Sequence, residues 1–302
     1  MTCIEKIYSV SALVGSGACN GNCKFCAGKY LRTQANDLQD SFEKQLKYEK
    51  NLESAIKLSA RYGGWSLSLT SSGEPTCSPE DVTRALEIYA KCANQGAYFP
   101  NVNLFTNGIL FGDKDFCKIW LPQWRKLGLT NVAVSIHSQD RTRQAEAYGL
   151  THYQYPDFND VFNNIRYHGI GVRCTLLLSK KYIPDASAYS QAVRDLISWY
   201  DIDNITSWPI GFSDGTRSDF TPSRLGLWTI KRWLNKNAKL CHEHAWGKSG
   251  ASGVWDYKGN ILRLTDYVTK HDPKKDFVRQ LVVFQNADVC YSWIKEGALC
   301  MK

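Results

Sequence analysis

Cys19-Asn-Gly-Asn-Cys23-Lys-Phe-Cys26 places three thiols within eight residues, spaced C-x3-C-x2-C. Thiolates bind zinc and iron–sulfur clusters. Gly21 gives the run a tight turn, so three sulfurs can wrap one side of a cluster. A [4Fe–4S] site ordinarily uses four thiolates, so three leave one iron open to an outside ligand. Structural zinc would need a fourth ligand, and the loop holds no His and no fourth Cys. Other short motifs carry less. Gly247-Lys248-Ser249 lacks the earlier Gly and the preceding strand of a phosphate loop. Gly15-x-Gly17-x-x-Asn20 lacks the third Gly of a dinucleotide fingerprint. His242-Glu243-His244 lacks the spacing of a helical zinc protease site.

The elements around these residues alternate. Strands are expected at 7–14, 66–70, 102–106, 131–136, 172–178 and 204–208. Helices are expected at 42–61, 79–95, 113–126, 158–167 and 186–200. The first helix takes its apolar face from Leu46, Leu52, Ile56 and Leu58. The second has Ser78 as cap, Pro79 as first residue and Glu80 and Asp81 in its first turn. Pro122 marks a break in the third. Six β units separated by helices argue for a parallel sheet with right-handed crossovers. Six are too few for a closed eight-fold barrel. The expectation is an α/β fold, a partial (βα)6 TIM-like barrel with its ligand site at the carboxyl ends of the strands. The chain divides into that barrel at 1–211 and a β-hairpin-rich C-terminal extension at 212–302, a cap over the barrel mouth. The extension carries a helix at 225–235, a Gly-rich loop at 247–253, a hairpin at 254–264 turning at Lys258-Gly259-Asn260, and a second turning near Asn286.

With strands and thiols in this order, the C-x3-C-x2-C run resembles the signature of the radical S-adenosylmethionine (SAM) superfamily. The resemblance covers about residues 6–210. It implies a [4Fe–4S] cluster on Cys19, Cys23 and Cys26 and SAM on the open iron. It also implies reductive cleavage of SAM to a 5′-deoxyadenosyl radical, hydrogen abstraction from a substrate, and an electron donor such as flavodoxin or ferredoxin. Phe25 stands where the family places an aromatic near the adenine. Gly73, Glu74 and Pro75 resemble the segment that binds the SAM amino group, where a carboxylate and carbonyls can accept from an ammonium. Ser72 departs from the Gly common there. Thr106 and Asn107, with Gly108, resemble the family's turn after strand three. Ser135 and His137 end strand four, where family members place polar residues near the ribose or methionine carboxylate of SAM. Arg173 and Thr175 lie on strand five, where a guanidinium often pairs with the SAM carboxylate.

The sequence leaves more open elsewhere. Cys241, Cys290 and Cys300 could hold a second iron–sulfur cluster, although Leu264 stands where such hairpins carry a Cys. Cys92, Cys117 and Cys174 read as core thiols; Cys77 adjoins the Gly-Glu-Pro segment. His137 and Tyr153 are the acid/base candidates. Substrate contacts are expected among Tyr148, His152, Tyr153, Tyr155, Trp208, Trp246, Lys248 and Trp255. The chain has 302 residues, 43% of them apolar, and 37 Lys+Arg against 29 Asp+Glu, a net charge of +8. Such a chain buries a large core unaided. Its charge favours anionic substrates and leaves an RNA partner open, without a separate RNA-binding module. A small-molecule, nucleotide-like substrate ranks first, a peptide- or tRNA-modifying activity second. A non-catalytic iron–sulfur or zinc-binding module is the alternative of a different class. Eleven cysteines in a long chain suit a reducing compartment. No membrane span is expected. The segment 7–19 is too broken by polar residues for a secretory leader, so the expected location is cytoplasmic.

Overall fold

The computed structural model describes residues 4–26, 28, 42–211, 218–243, 252–265, 276–295 and 298–301. His244, Trp246, Lys248 and most of the Gly-rich loop lie outside the described residues. Six strands alternate with helices: β1 Ser9–Leu13, α1 Phe42–Arg61, β2 Ser66–Thr70, α2 Pro79–Asn94, β3 Asn101–Thr106, α3 Lys114–Lys126, β4 Asn131–Ile136, α4 Arg141–Ala147, α5 Phe158–Tyr167, β5 Gly171–Leu178, α6 Ala186–Tyr200, β6 Asn204–Pro209 and α7 Arg224–Asn237. The C-terminal strands are β7 Lys239–Glu243, β8 Gly253–Tyr257, β9 Asn260–Leu264, β10 Leu281–Val283, β11 Val289–Cys290 and β12 Leu299–Met301.

All twelve join one open sheet, ordered β12-β11-β10-β1-β2-β3-β4-β5-β6-β9-β8-β7. The six expected units are adjacent and parallel. The fold is thus α/β with a central parallel sheet, as expected. The C-terminal strands do more than form hairpins. β9 pairs parallel with β6 and β10 pairs parallel with β1, so the parallel array runs through eight strands. The hairpin β8–β9 turns through Lys258 (φ 56°) and Gly259 (φ 85°). Lys6–Ile7 forms a separate short ladder with Phe277–Val278.

One face of the sheet is apolar and lies under the helices. Leu67, Leu69, Val102, Leu104, Val132, Val134, Leu176 and Ile205 are all fully buried there. This burial is the main force holding helices to sheet. α1 contributes Tyr48, Leu52, Ala55 and Ile56 rather than the expected Leu46, which is exposed. Tyr48 Oη also donates to the Leu13 carbonyl at 2.9 Å. Ser78 occupies the cap position of α2, but no side-chain cap bond forms. Its hydroxyl instead lies 3.4 Å from the Ser16 amide as acceptor. α3 runs unbroken through Pro122, capped by Asp113 and anchored by buried Leu121 and Trp124 on either side. The expected loop after β4 contains a helix, α4, capped by Asp140. Among the described residues no helix is long and apolar enough to cross a membrane.

Trp255, expected among the substrate contacts, is fully buried, and its Nε1 donates to Asn235 Oδ1 at 2.9 Å. It joins β8 to α7. Trp255→Ala is therefore expected to destabilise the fold by about 3–5 kcal/mol, read as a shift of the urea unfolding midpoint. An unchanged midpoint would remove the side chain from the core.

Candidate functional site

The cysteine loop leaves the carboxyl end of β1 and rests on the ends of β2, β3 and β4. Its thiols differ from four others among the described residues. Cys19 is exposed, and Cys23 and Cys26 are half-buried. Cys92, Cys117, Cys174 and Cys290 are buried, and burial pushes their thiols upward, to about 12 for Cys117 and about 11 for Cys290. Thiolate chemistry needs access, which the loop thiols have and these four core thiols lack. Among the described residues no three His, Cys, Asp or Glu side chains are already drawn together as a metal-ligand set, the loop thiols included. Cys241 lies on β7 at one end of the strand order, while Cys290 and Cys300 lie on β11 and β12 at the other.

The loop is fixed by hydrogen bonds from three sides. The Glu74 amide donates to the Ala18 carbonyl at 2.8 Å, and the Asn22 amide donates to the Tyr148 carbonyl at 2.7 Å. Asn107 Nδ2 donates to Asn20 Oδ1 at 2.7 Å. Gly73 sits so close to the loop that a Cβ there would enter the Ala18 and Gly17 carbonyl oxygens. That contact explains the Gly of the Ser72-Gly73-Glu74 segment. Ser72, the departure from the family pattern, is fully buried and donates its hydroxyl to Gln285 Oε1 at 2.9 Å. Gln285, just beyond β10, in turn donates to the Gly15 carbonyl.

Glu74 is 4% exposed. Its Oε1 accepts from the Thr76 amide at 3.1 Å, from Thr76 Oγ1 at 2.7 Å and from Thr106 Oγ1 at 2.7 Å. Oε2 accepts from the Asn107 amide at 2.7 Å. Burial raises its carboxyl above the usual range, and the four donors pull it back in part. Thr106 and Asn107 are thus held by Glu74. Asn107 also accepts from the Ile109 amide through its side chain and from Tyr155 Oη through its carbonyl. Gly108 follows at φ 82°, a left-handed position that suits Gly.

His137, at the end of β4, is 2% exposed. Its ring lies 4.8 Å from Phe25, 5.1 Å from Tyr148 and 6.4 Å from Tyr182, centroid to centroid. Phe25 also meets Phe220 edge-on at 5.5 Å. Burial lowers the His137 imidazole to about 3, so it is neutral at ordinary pH. Its Nδ1 is buried and has no hydrogen-bond partner among the described residues. Unsatisfied buried polar atoms are costly and few in folded proteins. The expected residues Phe25 and His137 therefore come together. Tyr153, the other acid/base candidate, is 90% exposed and contacts His152 on the surface.

Ser135 and Thr175 are register neighbours on β4 and β5. The Ser135 carbonyl accepts from Gln144 Nε2 at 2.9 Å and from Tyr148 Oη at 3.0 Å. Gln144 Oε1 takes the His137 and Ser138 amides, and its Nε2 also donates to Tyr155 Oη. Tyr148 and Tyr155, expected among the substrate contacts, are buried and stacked at 5.7 Å. Gln144 was missed by sequence reasoning. It lies in α4, which carries no apolar signal beyond its alanines. Arg173 lies lower on β5, with Nη1 donating to Asn103 Oδ1 at 2.9 Å.

No curated protein matches the chain. Among solved structures, native anSMEcpe with bound AdoMet and Kp18Cys peptide superposes at TM-score 0.51, with 14% identity, over 76% of this chain and 60% of that one. HydG, a maturase of the [FeFe]-hydrogenase, gives 0.50 at 12% identity over 76% of this chain and 49% of that one. Coproporphyrinogen III oxidase (HemN) from Escherichia coli, a radical SAM enzyme, gives 0.46 at 12% identity, over 86% and 63%. The chain thus spans about half to two thirds of the length of these neighbours, and the likeness concerns the fold. The model of the Radical SAM superfamily matches residues 13–179, from the end of β1 to just past β5 and across the whole cysteine loop, which is more than half of the sequence, and the chain belongs to that superfamily.

Proposed function

We propose that this chain is a radical SAM enzyme acting on a small-molecule substrate. The observation that carries this reading is the docking of an accessible three-thiol loop onto the Gly73-Glu74 segment and the Asn107 turn, at the carboxyl ends of parallel strands. Cys19, Cys23 and Cys26 would hold the cluster. Bound there, the cluster and SAM supply an electron and a 5′-deoxyadenosyl radical that takes a hydrogen atom from the substrate.

The remaining work belongs to the protein. Half-buried Phe25, with the buried His137 ring tilted 53° against it, offers an aromatic corner suited to a purine, with the partnerless Nδ1 as its polar contact. Held neutral by burial, His137 can accept or donate one hydrogen bond without bringing a charge beside the nucleoside. Thr175 and Ser135 present hydroxyls on the inner face beside it. Glu74, Thr106 and Asn107 have their polar atoms engaged within the protein, so their part is to keep loop and strand ends in register. A packed aromatic layer of Tyr148, Tyr155 and Phe158 beneath the site excludes water from that side.

Reconstituted without oxygen, the chain is expected to carry about four irons and, given dithionite and SAM, to release 5′-deoxyadenosine. Cys23→Ala loses both. Iron-loaded protein that releases none would be a non-catalytic metal module. An iron content near twice that value would restore the second cluster on Cys241, Cys290 and Cys300.

His137 gives an independent test. The unfolded chain protonates it near 6.5 and the folded chain only near 3. Between those values the unfolded state binds the extra proton. Stability from this group is therefore full above 6.5 and falls with pH, by about 1.4 kcal/mol per unit. His137→Gln is expected to flatten that slope in urea unfolding between pH 5 and 7.5. Equal slopes in both proteins would mean that the imidazole is not buried neutral.

A further inference from the structure

Parallel sheets in α/β proteins are usually apolar on both faces. Here only the helix side is. Alternate positions on the inner face carry Asn103 on β3, Arg173 and Thr175 on β5, Asn204 and Thr206 on β6, and Arg263 on β9. Thr175, Thr206 and Arg263 stand at one level of the register, with Arg173 two residues below Thr175 on its own strand. Both arginines thus face the interior, with only β6 between their strands.

Each guanidinium has a neutral partner. Arg173 Nη1 donates to Asn103 Oδ1 at 2.9 Å and Arg263 Nη1 donates to Asn204 Oδ1 at 2.6 Å. Among the described residues neither forms an ion pair with a carboxylate. The acid that acts on Arg173 at longer range is Asp203, exposed at the amino end of β6. A guanidinium offers five N–H donors, so each amide oxygen leaves most of the fork unused. Burial first, and then the charge of Arg263, lower Arg173 to about 10 against the opposing pull of Asp203. Both arginines are half-buried, and cations drawn out of water are ordinarily paired. Two that repel one another across a polar floor, with donors to spare, make a receptor for an anion. Guanidinium forks match carboxylate and phosphate oxygens in pairs.

We propose that Arg173 and Arg263 together bind an anionic group of the substrate, a phosphate or a carboxylate, on the inner face of the sheet below the cysteine loop. That the anion belongs to the substrate rests on the reading above; that the two arginines bind it does not. Arg263 lies outside the family match, on a strand that the C-terminal region adds beside β6. It thus ties substrate choice to the part of the chain beyond the common barrel. Arg173 is assigned here to the substrate, in place of the SAM carboxylate that the family pattern suggests for that strand.

The test uses the cluster-reconstituted full chain and two probes, inorganic phosphate and acetate, titrated by calorimetry. SAM binding is measured in parallel by equilibrium dialysis. At least one anion is expected to bind wild type, the tighter of the two naming the group. Arg263→Gln and Arg173→Gln should each weaken that anion tenfold or more, Arg263→Lys less, with SAM affinity within twofold throughout. Anion binding equal in wild type and both Gln variants overturns the proposal. So does loss of SAM binding in Arg173→Gln with the anion retained, and so does the absence of binding by either anion. Circular dichroism shows whether each variant is folded, and Arg263→Lys keeps the test valid if a Gln variant is not. Release of 5′-deoxyadenosine is read separately. If it is absent while the anion still binds, the radical reading falls and the site stands.

Discussion

A single buried carboxylate holds the site together. Glu74 joins its own loop after β2 to Thr106 and Asn107 at the end of β3, while its amide holds the Ala18 carbonyl of the cysteine loop. Desolvating a carboxylate costs several kcal/mol. Hydrogen bonds to a charged group contribute about 1.5–3 kcal/mol each, so the four donors together are comparable to that cost. Burial still prevails in the upward shift of the carboxyl. The arrangement is therefore intolerant. Displacing the β3 end by one donor leaves a buried charge short of partners, so strand ends and loop must stay in one register.

From that clamp a polar circuit runs beneath the cysteine loop. Asn20 meets Asn107, Asn107 meets Tyr155, and Tyr155 meets Gln144. Gln144 and Tyr148 converge on the Ser135 carbonyl, and Tyr148 returns to the loop through Asn22. Both ends of the circuit are thus in the loop, and its middle is in α4 and the tyrosines after it. Satisfied buried networks rigidify what they join. The loop thiols are among the more accessible groups in the region, but the backbone on which they are mounted is tied to the two central strands of the sheet.

The sequence made the periodic parts legible. Helix–strand alternation, Pro79 and the Lys258-Gly259 turn are local signals, and the elements they mark are present. So is the thiol spacing, because it needs one short segment. What was hidden depends on neighbours brought in by the fold. Nothing local says that Glu74 meets Thr106, or that Tyr148 and Tyr155 are buried. A hairpin signal fixes a strand's antiparallel partner and is silent on its other edge, so the parallel pairings of β9 and β10 could not be read. Ser78 and Pro122 show the same limit. Each obeys a local rule until a tertiary contact outweighs it: the Ser16 amide for the first, buried Leu121 and Trp124 for the second.

The two faces of the sheet divide stability from recognition. Helices bury Leu67, Leu104, Val132 and Leu176 on one side, and such apolar burial is the dominant favourable term in folding. The inner face is thereby released from the need to be apolar. Asn103 shows how the polar side is kept in order, bonding to Ser66 Oγ at 3.1 Å and receiving Arg173 at 2.9 Å. Asn204 does the same for Arg263 from the neighbouring strand. Each amide orients a guanidinium without neutralising it. A carboxylate in either position would hold the side chain as firmly but cancel its charge. The choice of an amide at both places thus leaves two positive charges oriented and available on the inner face of the sheet.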